Sequence, residues 1–299
     1  MLKRKLIILV TLAVLLLSVL FARSSTSQLS IVNCPLSTAE PTSSFSIVNC
    51  PLSIAEQSSA FLTEYETTDF QTGEKVTKQL AVYLPPEYDE TSEYNACFLM
   101  HISGSDEGFW LSLGIQALAD EIIAQGLAEP FILFMPDGYL NDDYRTHRND
   151  STVYTQFAQE FREDIIPFVK ENYPLREGRE HFGFIGASFG AYMTVNSILA
   201  PNLDLVSNFG YIGGGTIEQS RLEESWSAAG TEALPVSMLY IGEGALDDRG
   251  PAELSYMCLL AGCSKFTEDN LVFSLMDGLG HESGEWLLGF QEAIALFYK

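Results

Sequence analysis

From about residue 61 to the C-terminus, short apolar runs alternate with longer amphipathic stretches, and this alternation limits the fold more than any other feature of the chain. The runs are KQLAVYL (78–84), ACFLMH (96–101), FILFMP (131–136), HFGFIG (181–186), SNFGYI (207–212), VSMLYIG (236–242) and LVFSLM (271–276). Several are apolar throughout, as strands are when both faces of a sheet are covered. Helical spacing is clearest over 154–172, where Phe157, Phe161, Ile165, Phe168 and Val169 fall on one stripe. Further helical patterns occupy about 113–125, 189–199, 251–261 and 284–298. Strands and helices in this order predict an α/β fold: a doubly wound, mostly parallel sheet with helices on both faces. No Pro- or Gly-rich break divides 61–299, so one domain is expected there.

The first sixty residues have a different character. Lys3, Arg4 and Lys5 precede an uncharged apolar run from Leu6 to Ala22, so residues 1–24 read as a secretory signal. Cleavage is expected after Ser24, or, at 17 residues, the run 6–22 stays as a membrane anchor. Residues 25–60 form a Ser/Thr-rich linker in which SIVNCPLSTAE (30–40) returns as SIVNCPLSIAE (46–56). Two copies of so short a unit do not build a solenoid, and we read a duplication in a tolerant linker. Export is therefore expected, with membrane contact only through the N-terminal segment.

Charge and cysteines narrow the partners. A formal net charge of −24 repels phosphate backbones, so nucleic acid is not an expected partner. The five cysteines are Cys34 and Cys50 in the duplication, Cys97 in an apolar run, and Cys258 and Cys263. Their spacings match no zinc pattern, and no metal or organic cofactor is expected. In an exported chain the pairs Cys34–Cys50 and Cys258–Cys263 stay open, since spacing alone decides neither.

Within GFIGASFGAY (183–192), residues 186–190 fit G-x-S-x-G. An apolar strand leads into Ser188 and a helical pattern follows, which is the context of a nucleophile elbow. A serine hydroxyl needs a base, and the chain has four histidines. His181 starts the strand that ends near Ser188, so it belongs at the opposite sheet edge. His147 lies in a polar loop, and His101 ends the strand 96–101. His281, in MDGLGHESGEW after the last strand, belongs at the carboxyl edge and is the expected base. The orienting acid is sought in EGALDDRGPAE after strand 236–242: Asp247 first, Asp248 as the alternative, Glu243 third. Serine, acid, histidine is also the chain order of the α/β-hydrolases. Two backbone donors are needed for an oxyanion, expected at Phe189 and Ser103, with Ile102 and Gly104 as neighbours of the latter. Trp110, Asp137 and Tyr139, in loops at the same edge, are candidate pocket residues.

These motifs together resemble the putative esterase family of the α/β-hydrolases, from about Lys75 to the C-terminus. That family includes enterochelin, feruloyl and acetylxylan esterases, S-formylglutathione hydrolases and mycolyltransferases. VYLPPEYDE is similar to its first strand and Pro-rich turn, and MHISGSDEGFW to its H-G-x-G-G loop ending in Trp. MPDG, FREDIIPFVKENYPL, IGASFGA, GALDD and GLGHESGEW follow in the family's order. Two positions depart from it: Ile102 stands where Gly usually follows the loop histidine, and Ala191 where a second Gly follows the elbow. The resemblance implies an exported serine esterase working through an acyl-enzyme, with Ser188, Asp247 and His281 as nucleophile, acid and base. Esters on plant polysaccharides, siderophore esters and small acyl esters are the expected substrates. An acyltransferase of the mycolyltransferase type and a non-catalytic binding domain of the same fold are the alternatives.

Overall fold

The computed structural model describes residues 57–147, 150–250 and 252–299. The N-terminal apolar run, the duplication, Cys34 and Cys50 lie outside the described residues. Among those described, no helix is long and apolar enough to cross a membrane.

Eight strands form one sheet in the order β1-β2-β4-β3-β5-β6-β7-β8. They are β1 (Ser59–Thr68), β2 (Lys75–Leu84), β3 (Asn95–Met100), β4 (Phe131–Pro136), β5 (Phe182–Ala187), β6 (Asn208–Ile212), β7 (Met238–Gly244) and β8 (Leu271–Met276). From β4 to β8 all neighbours are parallel, while β2 runs antiparallel to β1 and β4. The α/β-hydrolase expectation of a mostly parallel sheet therefore holds, with an antiparallel hairpin at one edge. The hairpin corrects the linker boundary, since β1 begins at Ser59, inside the stretch assigned to linker. Its connection is closed by Gly73 N–H donating to the Asp69 carbonyl at 2.7 Å.

Side chains alternate between two cores across the sheet. Phe98, Phe134 and Phe184 face one side, and Leu99, Leu133 and Ile185 the other. The helices are α1 (Phe109–Ser112), α2 (Ile115–Ala124), α3 (Asp142–Thr146), α4, α5, α6 (Gln219–Ala229), α7 (Ala252–Gly262) and α8 (Ser283–Phe297). Helix α4 runs from Ser151–Glu160 through a π-turn, Phe161–Ile165, into Ile166–Asn172. Helix α5 starts with Phe189–Met193 and continues through the π-turn Thr194–Leu199. Phe157, Phe161, Ile165 and Val169 recur every fourth residue and are all fully buried. At 3.6 residues per turn such a row drifts around a helix. The wider π-turn in its middle returns it to the core. Phe161 meets Phe98 edge-on at 4.8 Å, locking α4 onto one face. Helices α2 and α8 cover the other, through Ile115, Ala119, Phe290 and Ile294.

The chain passes from β3 to β4 on one side, then to β5 on the other. The strand order reverses between β3 and β5, and ligand sites of open α/β sheets lie at the carboxyl ends of such strands. The loops carrying His101, Ser188, Asp247 and His281 all leave that edge.

Candidate active site

Ser188 sits between β5 and α5 with φ 57° and ψ −113°. A non-glycine residue is strained there, by about 1–3 kcal/mol. The turn is held by Ser188 N–H donating to the Ile212 carbonyl at 2.9 Å, and by two glycines that permit close approach. A Cβ on Gly186 would stand 2.0 Å from the Gly190 carbonyl oxygen, and one on Gly190 would stand 2.6 Å from that of Met100. The flanking glycines of the motif thus let helix α5 press against the end of β3. Ser188 is 8% exposed, between the buried Ala187 and Phe189.

His281, in the loop between β8 and α8, completes the line. Ser188 Oγ lies 2.9 Å from His281 Nε2, and His281 Nδ1 lies 2.8 Å from Asp247 Oδ2. A carboxylate only accepts, so Nδ1 carries the proton given to Asp247 and Nε2 is left to accept from the serine. The imidazole is set edge-on against Trp286 at 5.6 Å. Asp247 Oδ1 accepts from the Arg249 N–H at 2.8 Å, and its side chain is 1% exposed. Asp248 is exposed and has no place in the line. Glu243 is buried instead beside the start of α7, where the N–H groups of Ala252 and Glu253 face its carboxyl. Burial nonetheless pushes that carboxyl upward.

The other histidines fall where the sequence put them. His181 bonds Asn95 Oδ1 at 2.9 Å at the opposite edge, and His147 is largely exposed. His101 is 1% exposed, and its Nδ1 donates to the Ile102 carbonyl at 2.7 Å. Its Nε2 lies 2.9 Å from the Gly138 amide nitrogen and 3.0 Å from Asp137 Oδ1. The ring thereby ties the loop after β3 to the loop after β4.

Of the three expected pocket residues, Trp110 and Tyr139 are buried and Asp137 is half-buried. Trp110 is fully buried in the core under α2 and α8, because the short helix α1 turns its indole inward. Tyr139 is 1% exposed, stacks on Phe189 at 4.9 Å, and its hydroxyl accepts the Gly104 N–H at 3.3 Å. Asp137 accepts from the Tyr139 N–H at 2.9 Å and from Arg145 at 2.7 Å. Burial works to raise its carboxyl, but His101, Lys78 and that amide outweigh it and hold Asp137 below the usual range. Arg145 also donates to the Ser105 carbonyl, bracing the loop from 101 to 108. The Gly104 amide is thus committed to the Tyr139 hydroxyl. Phe189 opens α5, so its N–H has no intrahelical acceptor.

Two features had no sequence signal. Glu285, in the first turn of α8, is completely buried beside Asp247 and His281. Asp247, His281 and Glu285 each bring one ligand-type atom within 4.8 Å of the others. A tetrahedral zinc keeps its ligand atoms about 3.3 Å apart. The 2.8 Å Nδ1–Oδ2 separation is too short for that and fits a hydrogen bond. The second feature is a cleft of about 370 Å³ lined by Tyr154, Tyr192, Tyr211, Thr216 and Arg221, among others. It lies beside Ser188 rather than over it: Tyr192 is one turn along α5, and Tyr154 stacks on Phe189 at 6.2 Å. Cys258 and Cys263 both carry free thiols, as does buried Cys97.

Residues 72–210 match a family described as "Putative esterase". The chain is 33% identical over 155 residues to the endo-1,4-beta-xylanase Y of Acetivibrio thermocellus, covering 48% of this chain and 14% of that one. It is 24% identical over 211 residues to an endo-1,4-beta-xylanase/feruloyl esterase of Xylanibacter ruminicola, covering 69% of this chain and 27% of that one. Both curated relatives are therefore several times longer than the part that matches. Among solved structures, a serine-to-alanine mutant of the feruloyl esterase module from Clostridium thermocellum, complexed with sinapinate, superposes with a TM-score of 0.65. It is 24% identical, over 80% of this chain and 88% of that one, and supports the α/β-hydrolase fold.

Proposed function

We propose that this chain, an esterase of the α/β-hydrolase fold, cleaves its ester with Ser188 as nucleophile, His281 as general base and Asp247 as the orienting acid. The observation that carries this reading is the unbroken line Ser188 Oγ, His281 Nε2, His281 Nδ1, Asp247 Oδ2, at 2.9 and 2.8 Å. Ser188 Oγ attacks the ester carbonyl carbon as its proton passes to His281 Nε2. Asp247 stabilises the imidazolium that forms. The amides of Phe189 and Ser103 receive the charge that develops on the carbonyl oxygen. Collapse breaks the ester C–O bond, and His281 returns its proton to the departing alcohol. Water, deprotonated by the same nitrogen, then releases the acid from the acyl-enzyme.

The substrate class we assign is a hydroxycinnamoyl ester of a plant cell-wall polysaccharide, reached by an exported enzyme. Support comes from one relative, an endo-1,4-beta-xylanase/feruloyl esterase, and from a structural neighbour, a feruloyl esterase module complexed with sinapinate. The tyrosine-lined cleft beside Ser188 fits a sugar chain, since flat aromatic faces and hydroxyls suit carbohydrate. The basic and apolar N-terminal segment supports export.

The test is hydrolysis of methyl ferulate and of a short-chain chromogenic acetate by wild type and Ser188→Ala. The variant should lose about 10⁴–10⁶-fold in kcat. Equal rates for the two proteins would remove Ser188 from the mechanism. Turnover of the acetate without the ferulate would keep the serine and overturn the substrate class.

A further inference from the structure

Behind the line of Ser188, His281 and Asp247 stands an acid with no cation to balance it. Glu285 is 0% exposed, and its Oε1 accepts the Gly244 N–H at 2.8 Å. Its other oxygen, Oε2, is buried with no hydrogen-bond partner and lies 3.7 Å from His281 Nδ1. Asp247 and Glu243, from β7 and the loop after it, face the same carboxyl, with Tyr240 of β7 nearby. Among the described residues no lysine or arginine pairs with it. A second buried carboxylate beside Asp247 would face repulsion and an uncompensated desolvation cost.

We propose that Glu285 is a positioning residue for this line, a neutral acid whose carboxyl O–H donates to Asp247 and so fixes that carboxylate against His281. The inference rests on reading the line as the esterase's catalytic machinery. Gly244 N–H anchors one oxygen of Glu285 and leaves the other for the proton. Asp247 then accepts from His281 Nδ1, from Arg249 N–H and from Glu285, which satisfies a carboxylate shut away from water. Burial is the largest influence on Glu285 and, reinforced by Asp247 and Glu243, pushes its carboxyl up to about 8. The proton is thus held through neutral pH and given up in mildly alkaline solution. Once it is lost, Asp247 loses a donor and gains a repelling neighbour. Both changes loosen the carboxylate that orients His281.

The experiment compares wild type, Glu285→Gln and Glu285→Ala. Glutamine keeps the shape, the acceptor for Gly244 and an N–H donor for Asp247, but does not titrate. Carbon-13 NMR of glutamate-labelled protein should show one carboxyl titrating near pH 8, absent from Glu285→Gln. In wild type kcat/KM should fall across the same pH range, while Glu285→Gln stays level there. At pH 7 Glu285→Gln should keep kcat within about 5-fold, whereas Glu285→Ala should lose about 10–100-fold in kcat with KM little changed, the scale of losing an outer-shell partner. A Glu285 carboxyl that titrates in the ordinary carboxylate range would overturn the proposal. So would an alkaline limb shared by wild type and Glu285→Gln. If wild type proves no better than Ser188→Ala on any ester, the catalytic reading fails. The carboxyl titration, with the shift of the His281 Nδ1 proton on changing Glu285 to Gln, then still decides whether Glu285 donates to Asp247.

Discussion

Two histidine–aspartate pairs flank the elbow, His101 with Asp137 at 3.0 Å and His281 with Asp247 at 2.8 Å, yet only the second meets the serine. Both nitrogens of His101 are engaged, Nδ1 at the Ile102 carbonyl and Nε2 against Gly138 and Asp137, so the ring works as a tie between loops. His281 spends one nitrogen on its acid and leaves the other for a hydroxyl. Each pair is also backed by a buried glutamate in opposite company. Lys78 bridges Glu160 Oε1 at 2.6 Å and the Asp137 carbonyl at 2.8 Å, and Tyr65 donates to Glu160 as well. Glu285 has no such cation. The same residue types make a rigid bracket where both imidazole nitrogens are tied into the loops, and a reactive pair where one is left for the serine.

The largest effect that sharpens this contrast is on turnover. Asp247→Asn should lower kcat on the order of 10⁴-fold, because the imidazole loses the partner that sets its tautomer. Asp137→Asn should cost only about 10-fold, through a loosened loop, and Asp248→Asn should match wild type. Steady-state kinetics on one ester decide it, and equal losses for Asp247→Asn and Asp137→Asn would erase the distinction.

Next comes stability. Lys78→Met strands the Glu160 charge and should destabilise the fold by about 3–5 kcal/mol in urea unfolding. Adding Glu160→Gln should restore more than half of that loss. A single variant as stable as wild type would show that Lys78 braces nothing.

The smallest effect concerns Glu285 and is read by pH. The folded-state value of Glu285, about 8, stands above that of a carboxyl in an unfolded chain. Its contribution to stability is full below the ordinary carboxylate range and is lost as pH rises towards about 8. Glu285→Gln removes that slope, so it should match wild type near pH 4 and be more stable near pH 8, by about 1–3 kcal/mol. Parallel stability curves for the two proteins across that range would contradict the prediction.

What the sequence disclosed follows from how strongly each element is buried. The runs that became β3, β4 and β5 are buried at every position, and an unbroken apolar run is legible without context. Strand β1 was missed because SAFLTEYETT lies at the sheet edge, with Tyr65 and Thr67 its only fully buried positions. Helix α6 buries only Leu222 and Trp226, too little to stand out in QSRLEESWSAA. At the site, Ser188, His281 and Asp247 were reachable from strand ends and chain order. Glu285 was not, because a glutamate in the first turn of a helix is ordinarily a solvated partner of the helix dipole. Trp110 and Tyr139 were placed at the right edge, but loop position does not reveal which way a ring turns.

The backbone of Ser188 carries a last consequence. Its φ of 57° is a conformation glycine adopts freely and serine does not. The sturdiest version of this turn is therefore an inert one, and mutation followed by screening for heat tolerance alone would drift towards glycine at position 188. Only a demand for turnover keeps a hydroxyl there, so any effort to harden this protein must select for activity in every round.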